Sequence, residues 1–434
     1  MLAKKLRNSV GRGQYLNTVP IIVECSPVQY NNVIRGLTSI GYPVRRSIPR
    51  FNMVSTVIGV RSLKLLQKME SVVKVYLDDD IVPPTPGILP LARFFMQNIV
   101  QRQSFGFMFG RPIPKNWVPT SKTRGLLGAD VAMDDGVDGS GVKVAVLDTG
   151  IPPLGIIATH PQLSGQDVIA ESVGLDVQPD SSGHGSHVST TIVGKKYQLP
   201  DGTVLHGIAP GVSLMSIKVL ETPIGFGRIS DILKGLEMAE EWGADIVSMS
   251  LGSTGYDPDS PYEPVIANMV KKGIIFSIAA GNDGPNPGTI GTPAGSPHVF
   301  AVASVNTNGK TAGFSSRGPL EDGTTKPDTA SYGGDNNTDE RILSSTSFGS
   351  TIDLLDNIVN GLGTPYGTSM ATPHFTGVLA LCWQYTRKKL DRDMTRDDVW
   401  RALKTIKSSK SNQTGYGMLT YKTYKEAVQN GLIS

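Results

Sequence analysis

The apolar positions of this chain fall into two regimes. Over residues 121–434, continuous apolar runs alternate with stretches of helical spacing. The runs 142–147, 212–219, 246–251, 274–279 and 299–305 read as strands. Between two of them, Ile229, Ile232, Leu233, Leu236, Ala239 and Trp242 recur at the period of one helix face. Runs that are apolar at nearly every position suit strands covered on both faces. The pattern predicts an α/β domain with a central parallel sheet between helices. Ligands of such sheets bind beyond the carboxyl ends of the strands, and Asp148 and Asn282 both stand where a run ends.

Residues 18–80 follow another pattern. Ile21-Ile22-Val23 suits a first strand, and Tyr30, Val33, Ile34, Leu37 and Ile40 fall at helical spacing. Residues 51–60 are rich in β-branched side chains, Leu63, Leu65, Leu66 and Met69 mark a short helix, and 72–77 give a last strand. With a short strand across 42–48 the order is β-α-β-β-α-β, the split unit of ferredoxin-like domains. A small α+β domain is expected here, after an N-terminal tail at 1–17. Over 81–120 the pattern breaks. Seven prolines, Pro83, Pro84, Pro86, Pro90, Pro112, Pro114 and Pro119, punctuate an apolar stretch at 89–95 and the cluster Phe105-Gly106-Phe107-Met108-Phe109. So much aromatic surface is costly to leave in water. We expect a linker that packs against something and carries any processing site.

Composition narrows the function. The chain has 434 residues, 39% hydrophobic and 18% charged, enough to bury a substantial core. Its net charge of +3 gives no basis for nucleic acid as a partner. Cys25 and Cys382 are the only cysteines, which excludes a disulfide framework and a cysteine zinc site and leaves two buried or free thiols. No run reaches the ~18 apolar residues of a membrane span. The basic start (Lys4, Lys5, Arg7, Arg12) is not followed by the apolar core of an export signal. A soluble protein is expected, with its compartment open: intracellular, virus-encoded, or exported with a leader outside this sequence.

Four motifs carry chemistry. Ser369, in Gly367-Thr368-Ser369-Met370-Ala371-Thr372-Pro373-His374, opens an apolar segment that reads as a buried helix. A helix N-terminus favours developing negative charge and offers backbone N–H groups to an oxyanion. A serine nucleophile needs a base that titrates near neutrality, which histidine supplies. Of six histidines, His184 sits between two glycines in Gly183-His184-Gly185-Ser186-His187, which leave room for substrate and for the serine. His187, His298 and His374 read as packing or capping residues. Asp148, in Val146-Leu147-Asp148-Thr149-Gly150, ends an apolar run, where a carboxylate can orient an imidazole. Asn282, in Ala279-Ala280-Gly281-Asn282-Asp283-Gly284, offers a side-chain amide to an oxyanion.

In this order the four motifs resemble the subtilisin family of serine proteases. The resemblance covers most of 121–434 and, more loosely, 18–80. It implies a serine endopeptidase with Asp148, His184 and Ser369 as triad and Asn282 in the oxyanion hole. It further implies that 18–80 is a propeptide, chaperone and inhibitor of the catalytic domain at 121–434. Polypeptide substrates would run as a strand against Ser250-Leu251-Gly252 and Ala279-Ala280-Gly281. Gly291 corresponds to the bottom of the main specificity pocket, where glycine implies a deep pocket suited to apolar or aromatic side chains. An alternative is a self-processing maturation protease that acts mainly on its own chain or on one partner.

The chain also departs from the family pattern. Gln162 stands where relatives often carry a calcium-ligating Asp, and 194–202 replace the calcium loop. No cofactor is implied for catalysis; a structural calcium stays open, although these departures weaken the case for the usual strong site. The cluster Asp335, Asn336, Asn337, Asp339 and Glu340 reads as a solvated loop rather than a second calcium site.

Overall fold

The computed structural model of the protein describes residues 2–15, 17–81, 116–152, 161–174, 180–221, 226–356, 360–407 and 409–434. Most of the expected linker lies outside them, as does His160.

The first domain holds β1 (Thr18–Cys25), β2 (Val44–Ile48), β3 (Met53–Gly59) and β4 (Val72–Leu77), with helices Tyr30–Ser39 and Leu63–Leu66. The antiparallel sheet has the order β2-β3-β1-β4, that of the split β-α-β unit. Alternation along the strands divides their side chains between two faces. Ile21 and Val23 join Val33 and Leu37 in the small domain's own core. Ile22, Met53 and Tyr76 face the other way, into an apolar cluster shared with Leu233 and Tyr262 of the large domain. Burying side chains of this size is worth about 1.5–3 kcal/mol each, so the second face makes docking strong. The expected tail at 1–17 contains a helix, Lys4–Gly11, whose Leu6 is fully buried against this core. Its apolar positions are too few to signal a helix in the sequence.

β5 (Asp80–Ile81) leaves the small domain, and β6 (Asn116–Pro119) begins the large one. Asn116–Pro119 pairs in parallel with β17 (Glu340–Ser345), and the helix Thr120–Leu126 follows at once.

A parallel sheet of seven strands forms the centre of the large domain. They are β7 (Lys143–Asp148), β8 (Val168–Ser172), β11 (Ser213–Lys218), β13 (Ile246–Met249), β14 (Ile275–Ala279), β15 (Phe300–Val305) and β16 (Thr329–Tyr332), in the order β16-β15-β14-β13-β7-β11-β8. A hairpin, β9 (Tyr197–Gln198) with β10 (Val204–Leu205), and the short β12 (Gly227–Arg228) and β18 (Leu362–Gly363) lie outside it. Along β7, Val144 and Val146 pack into one helix layer, while Ala145 and Leu147 pack into the other. This is why the strand reads as a continuous apolar run. Helices His184–Val193, Thr368–Leu390 and Arg396–Ile406 supply the first layer, and Ile229–Trp242 and Tyr262–Lys271 the second.

Two strands of the seven-stranded sheet escaped the hydrophobic pattern. The edge strand β8 exposes Ile169 and Glu171. In β16 the buried positions include Thr329, which reaches Gly417 O at 2.8 Å, and Ser331. No helix among the described residues is long and apolar enough to cross a membrane.

Candidate active site

The residues singled out in the sequence meet at the carboxyl edge of the sheet. Asp148 is the last residue of β7, and Ser250 and Ala280 follow β13 and β14 directly. Parallel strands all end on one edge, so motifs far apart in sequence come together there.

His184 is the first residue of its helix and Ser369 the second of its own, and the two helices pack on each other. His184 Nδ1 lies 2.6 Å from Asp148 Oδ1, and both side chains are fully buried. The same oxygen accepts Thr149 N–H at 2.7 Å, while Asp148 O takes Val219 N–H at 2.9 Å. Burial pulls the imidazole pKa of His184 down. The charge and hydrogen bond of Asp148, with Asp180 beyond it, outweigh that effect, and the net direction is up. His184 Nε2 is buried and makes no hydrogen bond here.

Ser369 Oγ donates to Ser250 O at 3.3 Å, and Ser250 Oγ donates to Ser369 O at 2.9 Å. The start of the serine helix is thereby fastened to the end of β13. Thr368 N–H and Thr368 Oγ1 both donate to Asn282 Oδ1, at 2.9 and 3.0 Å. With its oxygen held by two donors, Asn282 presents Nδ2 elsewhere, buried and without a partner. A buried amide donor left unpaired is costly and suits an acceptor that arrives with substrate.

The expected substrate-binding segments also converge. Ser253 and Thr292 form a two-way bridge, with N–H to O distances of 2.9 and 3.1 Å, and Gly291 N–H meets Ala280 O at 3.2 Å. Leu251, Ala279 and Ala280 are buried behind this surface, and Gly252 and Gly281 are half-buried. Gly291 has a packing reason besides any pocket depth. A Cβ there would stand 2.3 Å from Ser253 O. The glycines beside His184 likewise serve close packing, where the sequence suggested room for substrate. A Cβ on Gly185 would meet Gly150 O at 2.2 Å, and one on Gly183, at φ +82°, would meet Thr346 Oγ1 at 2.2 Å.

Two of the other histidines, His374 and His187, have structural partners. His374 joins Met370 O and Thr123 Oγ1, both at 2.7 Å, and His187 Nε2 bonds Ile342 O at 3.0 Å. Burial lowers both pKa values, to about 4 for His374 and about 3 for His187. Both cysteines are buried and free.

In the acidic cluster Asn336, Asn337 and Asp339 are exposed, as a solvated loop would have them, whereas its two ends turn inward. Asp335 and Glu340 are buried. Asp335 accepts Gly313 N–H and Asn337 N–H, and Glu340 accepts both donors of Thr307. Gln162 Nε2 donates to Lys195 O at 3.1 Å and Gln162 O accepts Lys195 N–H at 3.0 Å. The loop after the histidine helix is thus tied down by an amide. Sequence reasoning missed Asp180 and Thr149, which link the aspartate and histidine segments. Their only signal was an Asp placed a few residues before a helix start.

The protein has an α/β fold, a doubly covered parallel sheet with a buried carboxylate–imidazole pair at its carboxyl edge. The subtilase family (Peptidase_S8) matches residues 139–419, and the chain belongs to that family. It is 34% identical over 290 residues to serine protease AprX of Bacillus subtilis (strain 168), covering 61% of this chain and 61% of that protein. With M-protease of Shouchella clausii (strain KSM-K16) it shares 32% identity over 289 residues, 67% of this chain and 63% of the relative. With Subtilisin Savinase of Lederbergia lenta it shares 34% over 256 residues, 59% of this chain and 81% of the relative. The chain thus spans less than two thirds of AprX and of M-protease. Among solved structures, fervidolysin from Fervidobacterium pennivorans has the same fold, with a TM-score of 0.68 and 22% identity over 94% of this chain and 61% of that one.

Proposed function

We propose that the protein is a serine endopeptidase made with its own inhibitor domain. The observation that carries this reading is the buried Asp148–His184 bond at 2.6 Å beside an Asn282 amide with no partner. Ser369 attacks the scissile carbonyl after its hydroxyl leaves Ser250 O for His184 Nε2. His184 takes that proton and returns it to the leaving amine. Asp148 holds the tautomer that exposes Nε2 as acceptor and stabilises the imidazolium. Asn282 Nδ2 and the Ser369 amide, in the first turn of its helix, bind the oxyanion. Catalytic hydrogen bonds often tighten only when substrate is present, which accounts for the unpaired Nε2.

Substrate runs as a strand along Ser250-Leu251-Gly252 and Ala279-Ala280-Gly281, so affinity comes mainly from backbone pairing. Neither segment contains an acid, which supports a preference for apolar or aromatic over basic side chains at the residue before the cut.

The small domain is read as a propeptide that inhibits the enzyme. Three features support this. β5 pairs antiparallel with β12, Ile81 opposite Gly227 and Asp80 opposite Arg228, in the way a bound peptide adds a strand to an edge. Arg45 and Arg46 both reach the buried Asp231, at 2.8 and 2.7 Å. Asp78 accepts Ser230 N–H and Oγ–H at 2.9 and 2.8 Å. Hydrolysis of a peptide with an aromatic residue before the cut, compared between wild type and Ser369→Ala, tests the reading. Equal rates would refute it.

A further inference from the structure

Asp180 has no part in the proton transfers above, yet it is fully buried beside them. Its Oδ1 accepts Thr149 Oγ1–H and Gly183 N–H, both at 2.8 Å. Its Oδ2 accepts Ser186 N–H at 2.8 Å and Ser186 Oγ–H at 2.7 Å. Thr149 Oγ1 in turn accepts Gly185 N–H at 2.8 Å. Thr149 follows Asp148 directly, and Gly183 and Gly185 flank His184. One carboxylate therefore bonds both segments that carry the Asp148–His184 pair. From the far side, Ser347 Oγ meets Ser186 Oγ at 2.8 Å and Thr346 Oγ1 donates to Gly183 O at 2.7 Å.

We propose that Asp180, acting through Thr149, is a positioning residue that sets the distance and angle between Asp148 and His184. The inference rests on the triad reading given above. Helix capping alone would account for the bonds to Gly183 and Ser186. It does not account for Thr149, whose hydroxyl bridges Asp180 to Gly185 and has no capping task. Burial drives the carboxyl pKa of Asp180 up, against the hydrogen bonds that pull it down. All four of its partners are donors, so it works here as an acceptor only, and an amide in its place would turn an NH2 toward donors. A side chain held by such a network transmits small displacements, and a 2.6 Å bond tolerates few of them.

The test compares wild type, Ser369→Ala, Thr149→Val, Thr149→Ser and Asp180→Asn on one peptide substrate, with kcat and KM measured separately. Thr149→Val keeps the shape and removes the bridging hydroxyl. It is expected to lower kcat about 10-fold, as loss of one aligned hydrogen bond would, with KM within about two-fold. Thr149→Ser restores the hydroxyl and should restore kcat. Asp180→Asn is expected to lose roughly 10–100-fold in kcat, as outer hydrogen-bond partners of metal-bound histidines do when removed. Wild-type kcat in Thr149→Val, or a rise in KM alone, overturns the proposal while a silent Ser369→Ala leaves the triad reading standing. Hydrolysis by Ser369→Ala at the wild-type rate overturns both. The Thr149 pair decides the matter whether or not Asp180→Asn folds.

Discussion

His184 Nδ1 and Asp148 Oδ1 are 2.6 Å apart in a site from which both side chains are wholly withdrawn from solvent. The base must be neutral to accept the serine proton, and its carboxylate neighbours raise its pKa. Activity is therefore expected to be lost as pH falls through that raised value. The acid limb of kcat/KM is expected above the ordinary imidazole value of about 6.5. Asp148→Asn should move the limb down and lower kcat by ~10⁴-fold, the size of the effect in the chymotrypsin-type triad. The pH–rate profiles of the two proteins decide this, and a limb below 6.5 in the wild type would speak against the pair.

Asn282→Ala should reduce kcat by roughly 10²–10³-fold with a modest change in KM, the loss that removing one such donor brings in subtilisin. In the proposed mechanism the Asn282 amide meets its acceptor mainly in the transition state, so the cost should fall on turnover. A rise in KM at constant kcat would make Asn282 a substrate-binding residue instead.

Besides its apolar face, the small domain meets the large one through arginines that reach a buried acid. Removing Arg45 and Arg46 takes both ion-pair partners from Asp231, which is 2% exposed and keeps the Arg228 N–H at 3.3 Å, and a buried charge without a counter-ion is costly. The double variant Arg45→Ala/Arg46→Ala of the small domain, added in trans, should inhibit about 10-fold less tightly than the unaltered domain. Titration of peptide hydrolysis measures it.

The same interface should depend on pH. Burial pushes Asp78 up to about 6 when docked, against its hydrogen bonds from Ser230 and the nearby Arg45 and Arg228. A free Asp titrates near 3.9. The docked value is the higher, so docking takes up a proton as pH falls. This contribution is complete below about 3.9 and is lost as pH rises through about 6. The inhibition constant is expected to rise between pH 5 and 7.5, less steeply in Asp78→Asn. Equal slopes would remove Asp78 from the account.

Processing, if the small domain is released, is predicted between Leu89 and Trp117, since Pro83, Pro84 and Pro86 make residues 81–86 a poor strand in the cleft. The pairing of Asn116–Pro119 with β17 moves the expected cut to the N-terminal side of Asn116. Mass spectrometry of wild type beside Ser369→Ala reads the site directly. A Ser369-dependent cut inside 81–86 would show the proline argument to be wrong, and an uncut chain would mean a permanently attached inhibitor.

Much of this was legible in the sequence where the cause was local. The strands of the central sheet were read because both of their faces are apolar, as Val144 and Ala145 show by entering opposite layers. The strand holding Thr329 and Ser331 was not, because its buried hydroxyls resemble a loop. Asp148, His184, Asn282 and Ser369 stood out through their neighbours at strand ends and helix starts. Asp180 did not, because its partner Thr149 lies 31 positions away and only the fold joins them. The packing reason for Gly291 was not legible either, because the Ser253 O that a Cβ there would meet is brought up by a bridge between distant segments.

The most direct test of the central claim is covalent labelling with an active-site phosphonate, followed by peptide mapping and an assay of hydrolysis. The label should fall on Ser369 alone, in step with loss of activity, and Ser369→Ala should take up none while keeping its fold. A label on another residue, or hydrolysis that survives in Ser369→Ala at the wild-type rate, would contradict it.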